Sequence, residues 1–231
     1  MSALWEQLSF RNVAGDTWRP GGIELTRRAL DWCAARHFFP REGIAVDMGC
    51  GAGATLKLLA GYGLKAVGID SREEGHFSWA TPRETLCIRA DVTRPPFATA
   101  CAALVVFECV LSLLPEPLAA LQAAWRVLAP GGICMMGDIT LRDDIPDVPP
   151  GGTSCLGHAR RPGMWRELLC AAGLCVLCEK DCSHALSELA ARLYWYGVLL
   201  SDDSSNRPFC ATSASRRRYG YGLWITQKGT T

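Results

Sequence analysis

A hydrophobic stretch that closes on an acidic residue and runs straight into a glycine-rich turn constrains this chain more than any other feature. It reads Val46-Asp47-Met48-Gly49-Cys50-Gly51-Ala52-Gly53-Ala54-Thr55, a strand passing into a helix. Glycine has no Cβ and reaches positive φ, so backbone at such a turn can approach a bound ligand closely. A strand, a tight turn and a helix in that order make half of a crossover unit. Crossover units build parallel sheets with helices packed on the faces.

The rest of the chain continues that alternation. A helix is expected over about 24–36, a strand at 44–48, and a helix at 53–61 that stops at Gly61 and Gly63. A second strand at 65–69 ends at Asp70, and Ser71-x-x-Glu74 reads as a capping box for a short helix after it. A third strand at 85–89 precedes Asp91. Residues 102–107, Ala-Ala-Leu-Val-Val-Phe, are apolar without interruption, as in a central strand buried on both faces.

Pro115 and Pro117 open the next helix, with Leu118, Leu121, Trp125 and Leu128 at helical spacing. Pro130-Gly131-Gly132 turns into a strand at 133–138. A helix at 162–173, strands at 174–179 and 219–227, and a helix at 184–200 complete the pattern. The count is seven strands, so the expected fold is α/β, a doubly wound and mostly parallel seven-stranded sheet with helices on both faces. One domain is expected over 1–231. Residues 1–39 form an N-terminal arm and helix, with 1–23 irregular; 40–138 form a cofactor-binding core; 139–231 cover the substrate. The polar loops at 140–157 and 201–218 are long enough to be binding elements or lids.

Composition narrows the partners. Hydrophobic residues at 49% and charged residues at 20% fit an ordinary globular chain, and a net charge of +1 gives no pull toward nucleic acid or anionic membrane. Arg216-Arg217-Arg218 is an isolated basic triplet, read as a solvated loop. No apolar run reaches the ~18 residues of a membrane span, and no signal-peptide pattern opens the chain, so the expected location is cytoplasmic. Under reducing conditions the 12 cysteines are not a disulfide framework, which leaves packing, metal binding or thiol chemistry. The sequence leaves the oligomeric state open.

The ligand class turns on Asp47. Gly49-x-Gly51-x-x-Ala54 with Asp70 downstream also fits the dinucleotide fingerprint. A pyrophosphate lies against the positive end of a helix, where a carboxylate two residues before the first glycine would repel it. A cofactor that carries an ammonium and a sulfonium is instead stabilised by that carboxylate. Residues 40–138 accordingly resemble the core of the class I S-adenosylmethionine-dependent methyltransferases, most closely the broad type 11 group.

That resemblance implies S-adenosylmethionine as cofactor and assigns roles. Gly49 and Gly51 would admit backbone to the methionine part, and Asp47 would lie near its ammonium. Asp70 would accept the two ribose hydroxyls, a task suited to a carboxylate. Asp91 and Val92 would meet the adenine, and Phe107-Glu108-Cys109 would lie beside the methyl group. Cys50, Ser71 and Glu108 complete the expected cofactor set, together with Arg19, which the arm would bring near the methionine carboxylate. Leu128-x-Pro130-Gly131-Gly132 matches the family's turn into strand five. Arg19-Pro20-Gly21-Gly22, the segment Cys109 to Pro115 and Tyr219-Gly220-Tyr221 resemble a bacterial subgroup of these enzymes. Cys155-x-Gly157 with Ala172-Gly173 is similar to the arsenite methyltransferases, although Cys-Leu-Gly-His-Ala stands where that family has Cys-x-x-Gly-Ala.

A sulfonium methyl is already activated, so the protein mainly aligns the acceptor, and a base is needed only if the nucleophile arrives protonated. His158 and His184 are the candidate bases; His37 and His76 read as structural. The Asn-Pro-Pro-Tyr or Asp-Pro-Pro-Tyr signature of nucleic-acid amino methylation is absent after strand four, where Phe107-Glu108-Cys109-Val110 stands. No metal site is expected: in Cys175-x-x-Cys178-x-x-x-Cys182 the first two fall on a strand, where residues three apart face opposite ways. Cys109, Cys155 and Cys210 instead fall on segments expected near the acceptor, and three thiolates suit a soft three-coordinate ion. The expected activity is methyl transfer to a small molecule, with a thiol-bound metalloid as one acceptor. A nicotinamide-linked oxidoreductase and a non-catalytic cofactor-binding module remain the alternatives.

Overall fold

The computed structural model describes residues 7–38, 43–72, 85–142, 155–198 and 218–229. Helices α1 (Leu8–Ala14) and α2 (Gly22–Ala34) precede strand β1 (Ile44–Met48). Then come α3 (Ala54–Gly61), β2 (Lys65–Asp70), β3 (Thr85–Arg89), β4 (Ala102–Glu108), α4 (Pro117–Val127) and β5 (Leu128–Leu141). The chain closes with α5 (Pro162–Ala171), β6 (Leu174–Asp181), α6 (Ser183–Trp195) and β7 (Tyr219–Lys228).

The seven strands form one sheet in the order β3-β2-β1-β4-β5-β7-β6. Strands β1 to β5 pair in parallel, whereas β7 runs antiparallel to both β5 and β6. Strand order reverses between β1 and β4, and the crevice beyond their carboxyl ends is where sheets of this class bind ligands.

Alternation along the strands builds two cores. Val46, Met48, Val105, Phe107, Cys134, Met136 and Trp224 face one layer with Leu121, Ala124, Trp165 and Leu169. Ala45, Leu104, Val106, Ile133, Met135, Leu223 and Ile225 face the other, with Leu30, Cys33, Leu56 and Leu59. Side chains with period two thus reach helices on both faces, which is why these strands read as unbroken apolar runs.

Three expectations change. Residues 8–14, expected to be irregular, are helical, because Phe10 and Ala14 bury against Leu189, Ala190 and Leu193 of α6. The fifth strand spans Leu128–Leu141 rather than 133–138, since it finds a ladder partner on each side. Helix α6 ends at Trp195, earlier than 200. The capping-box partner Glu74 lies outside the described residues.

Trp165 anchors the first core: it is fully buried, and its indole N–H donates to the Ile139 carbonyl at 3.1 Å. Trp165→Ala should cost about 3–5 kcal/mol, the range for emptying a buried aromatic site. Urea unfolding should show the loss as a lower midpoint with an unchanged slope.

Candidate functional site

The turn after β1 lies in the crevice because glycine lets it fold tightly. Gly49 has φ +85°, and a Cβ there would come within 2.4 Å of Val110. The Gly49 and Cys50 N–H groups both donate to the Ile69 carbonyl, at 2.7 and 3.0 Å. The loop is thereby tied to β2, and α3 begins just beyond it. The Cys50 thiol lies 4.0 Å from that of Cys87.

Asp70, at the end of β2, is held by four donors. The Gly51 N–H (3.0 Å) and Arg72 Nη2 (2.8 Å) reach Oδ2; the Arg72 N–H (3.1 Å) and Nε (2.8 Å) reach Oδ1. Burial alone would raise this carboxyl, but hydrogen bonds and charge from Arg72, with the Gly51 N–H, hold it below the usual carboxylate range. Trp18 covers the same loop, with the Arg72 guanidinium 5.5 Å from its ring. Asp91 turns on its own backbone: Oδ1 accepts the Thr93 N–H and hydroxyl, each at 2.8 Å, and these bonds lower its carboxyl.

Arg19 is buried in the crevice, only 6% exposed. Its Nη2 donates to Thr26 Oγ1 at 2.6 Å and Thr55 Oγ1 at 3.1 Å, and its Nε lies 3.3 Å from Glu108 Oε2 without a hydrogen bond. The Thr26 hydroxyl donates on to Glu108 Oε1 at 2.7 Å. Asp47, 2% exposed, shares this environment. Burial pushes its carboxyl up to about 7, Arg19 pulls it back, and Glu108, Cys87 and Asp70 push it further up.

Beyond Glu108 the wall changes character. Cys109 takes a left-handed φ of +57°, a conformation that costs a non-glycine residue of order 1–3 kcal/mol. Its thiol donates to the Tyr221 hydroxyl at 3.5 Å, and that hydroxyl donates to Glu108 Oε2 at 3.5 Å. Gly137 makes room for this contact, because a Cβ there would lie 2.7 Å from Glu108 Oε2 and 2.8 Å from the Tyr221 hydroxyl. Burial drives both the Cys109 thiol and the Tyr221 phenol well above their ordinary values, so both stay protonated. Nearby, Asp138 is fully buried, accepts the Ser112 N–H (3.0 Å) and hydroxyl, and is pushed by burial up to about 6. It pins the turn at Leu111–Leu113 that lines the crevice.

A cavity of about 750 Å³ opens beside these groups. Arg19, Asp47, Gly49, Cys50, Gly51, Asp70, Ser71, Asp91, Val92, Glu108, Cys109 and Cys155 are all in its wall. Cys210 lies outside the described residues. His158 also lines the cavity, whereas His184 is 86% exposed on α6 and faces Glu188 at 3.5 Å. Cys175 is exposed, and the β6–β7 register slips between Val176 and Cys178; among the described residues no group of three His, Cys, Asp or Glu side chains is arranged to hold a metal ion. Among the described residues, no helix is long and apolar enough to cross a membrane. Thr26, Thr55, Arg72 and Asp138 carry no local signal of a site role, and Tyr221 is singled out only by the Tyr219-Gly220-Tyr221 pattern.

The residues present fit a cofactor with a cationic and carboxylate-bearing end and a ribose. Asp47 offers a countercharge to an ammonium, the orphaned Arg19 Nε a donor to a carboxylate, and Asp70 an acceptor pair for a diol.

Comparison with known proteins agrees with that fit. Residues 46–136 match the family described as a methyltransferase domain. The chain is 27% identical over 157 residues to the ubiquinone biosynthesis O-methyltransferase of Psychrobacter arcticus, covering 56% of this chain and 61% of that protein. The same enzyme of Psychrobacter cryohalolentis is 29% identical over the same shares. The matched region thus spans about three fifths of the length of these curated relatives. Among solved structures, phosphoethanolamine N-methyltransferase 2 of Haemonchus contortus, in complex with phosphomonomethylethanolamine and S-adenosylhomocysteine, has a TM-score of 0.71 at 12% identity, over 96% of this chain and 56% of that one. The [4+2]-cyclase SpnF has a TM-score of 0.66 at 20% identity, over 88% and 81%. These likenesses carry the fold.

Asp47 sets a pH dependence. A carboxyl that titrates near 7 must lose its proton before it can face an ammonium. Affinity for S-adenosylhomocysteine should therefore weaken up to about tenfold per pH unit as pH falls below about 7. Because folding raises this acid, Asp47 should also make the unliganded protein less stable as pH rises from about 4 toward about 7. Calorimetry and thermal melts across that range check both, and Asp47→Asn should flatten each profile.

Proposed function

We propose that this chain, which belongs to the class I S-adenosylmethionine-dependent methyltransferases, moves the methyl group of that cofactor to a small, largely apolar acceptor through a protic oxygen. The observation that carries this reading is one cavity whose wall combines charged and apolar groups. Asp47, Asp70, Asp91 and Arg19 supply the charged part of the wall. Leu113, Leu114, Ile139, Leu156 and Leu186 supply the apolar part, and Ile139, Leu156 and Leu186 cluster with Cys109 and Cys155. Such a division is usual for small-molecule sites, where a few polar groups orient a ligand within apolar walls. The names of the curated relatives, O-methyltransferases, favour oxygen as the acceptor atom.

S-adenosylmethionine supplies the activated methyl, and the chain supplies alignment. Asp47 faces the ammonium and Arg19 the carboxylate, which fixes the methionine end. The apolar wall excludes water and holds the acceptor in line with the departing sulfur. His158, in the same wall, takes the acceptor's proton. Cys109, neutral and backed by the buried, neutral Tyr221, lines the acceptor side without adding charge.

Labelled-methyl transfer by the purified chain to a panel of hydroxylated aromatic acceptors tests the reading, with S-adenosylhomocysteine measured alongside product. Tighter binding of a nicotinamide cofactor than of S-adenosylmethionine would overturn it. His158→Gln should lower kcat by about 10²–10⁴-fold for a protic acceptor and leave S-adenosylhomocysteine affinity unchanged.

One observation supports a second acceptor. Cys109 and Cys155 line the same cavity, and Cys155 is among the groups that raise the Cys109 thiol. A soft metalloid bound by these two thiols would lie on the acceptor side. Trivalent arsenic should then bind wild type and lose affinity in Cys109→Ser and Cys155→Ser. Equal binding by all three proteins removes this acceptor and leaves the oxygen reading in place.

A further inference from the structure

Asp70 is the carboxylate assigned to the cofactor's ribose, yet its hydrogen-bonding capacity is already full. Two carboxylate oxygens offer about four lone-pair positions. Four donors occupy them: the Arg72 N–H and Nε on Oδ1, and the Gly51 N–H and Arg72 Nη2 on Oδ2. A ribose diol cannot add its two hydroxyls to this set. Something must leave.

The four donors are not equivalent. Two are backbone N–H groups, fixed by the glycine turn and by the end of β2. The other two belong to one guanidinium whose side chain is 23% exposed. Its edge presents two parallel N–H donors, one to each carboxylate oxygen, at 2.8 Å each. A vicinal cis diol presents two O–H donors to the same two oxygens.

We propose that Arg72 is a displaceable stand-in for the cofactor's ribose, pairing with Asp70 in the unliganded protein and exchanged for the diol when a ribonucleoside cofactor binds. The backbone donors stay and keep the carboxylate aimed. The guanidinium is released beside the Trp18 ring, 5.5 Å away, where a cation is stabilised by the ring face. Trp18 also covers Gly51, at 3.6 Å from the position of a Cβ there, and precedes Arg19. Cofactor binding is thereby linked to the arm that carries Arg19. No covalent bond changes. Arg72 acts as a positioning residue that sets selectivity: a ligand with one ribose hydroxyl replaces only one of the two donors it displaces. The inference rests on the S-adenosylmethionine reading.

Calorimetric titration with S-adenosylhomocysteine tests the exchange in wild type, Arg72→Ala, Arg72→Lys, Asp70→Ala and the Arg72→Ala/Asp70→Ala double variant. A competitor that occupies the site lowers apparent affinity by the fraction of protein it blocks. Arg72→Ala should therefore bind about tenfold more tightly than wild type. Arg72→Lys, which keeps the charge but not the fork, should fall between them. Asp70→Ala should bind more weakly than wild type. In that background the Arg72 substitution should change affinity less than about twofold, because nothing is left to exchange. In nuclear magnetic resonance spectra, the Arg72 Nε–H signal, identified by its loss in Arg72→Lys, should shift on saturation with S-adenosylhomocysteine.

Weaker or unchanged binding by Arg72→Ala overturns the proposal. So does an equal gain from Arg72→Ala with and without Asp70, or an unmoved Nε–H signal at saturation. Failure of every variant, wild type included, to bind S-adenosylhomocysteine overturns the cofactor reading and the exchange with it.

Discussion

Four neighbouring strands each deliver a carboxylate to one edge of the sheet, and the site depends on how those like charges are kept apart. In sheet order β2, β1, β4 and β5 carry Asp70, Asp47, Glu108 and Asp138. All four are nearly inaccessible to water. Burying a charge without a partner is costly, and burying several together compounds that cost by repulsion. Each carboxylate meets the problem differently. Asp70 takes a bidentate guanidinium and two backbone donors. Glu108 takes Arg19 and the Thr26 hydroxyl. Asp138 takes Ser112 and backbone N–H groups.

Asp47 is left with the least. Arg19 is its countercharge, but that guanidinium is nearer to Glu108, and burial lifts the Asp47 carboxyl to about 7. A carboxylate under-compensated in the unliganded protein is suited to receive a cation from a ligand. The same reasoning explains the arm. Arg19 comes from outside the sheet and offsets the charge of both Asp47 and Glu108. The helix-and-turn segment at residues 8–17 and its contacts with α6 are therefore part of the site's electrostatics as well as its cover.

The acceptor side follows the opposite rule. Burial keeps Cys109 and the Tyr221 behind it neutral, so neither adds charge beside Glu108. A neutral wall suits a reaction in which the donor loses its positive charge as the methyl departs. The left-handed backbone at Cys109 marks where β4 must turn sharply to keep that wall against β5; its N–H donates to the Gly137 carbonyl at 2.8 Å.

The sequence alone determined what depends on short range. The apolar runs of β1 and β4, the glycine turn, and the acidic residues at 47, 70 and 91 were legible because strand period and turn chemistry act over a few residues. Their common edge followed from the parallel connection rule. What the tertiary structure decided lies far apart in the chain. Arg19 and Glu108 are 89 positions apart, and Cys109 and Tyr221 are 112 apart. No local pattern specifies which guanidinium meets which carboxylate. Helix α1 was missed for a related reason: at seven residues it is too short to be stable by propensity, and packing against α6 holds it. Arg72 is the instructive exception. It stands two residues from Asp70, yet only the folded geometry shows its two N–H groups in the places assigned to the ribose hydroxyls, because orientation, not sequence distance, decides what a side chain reaches.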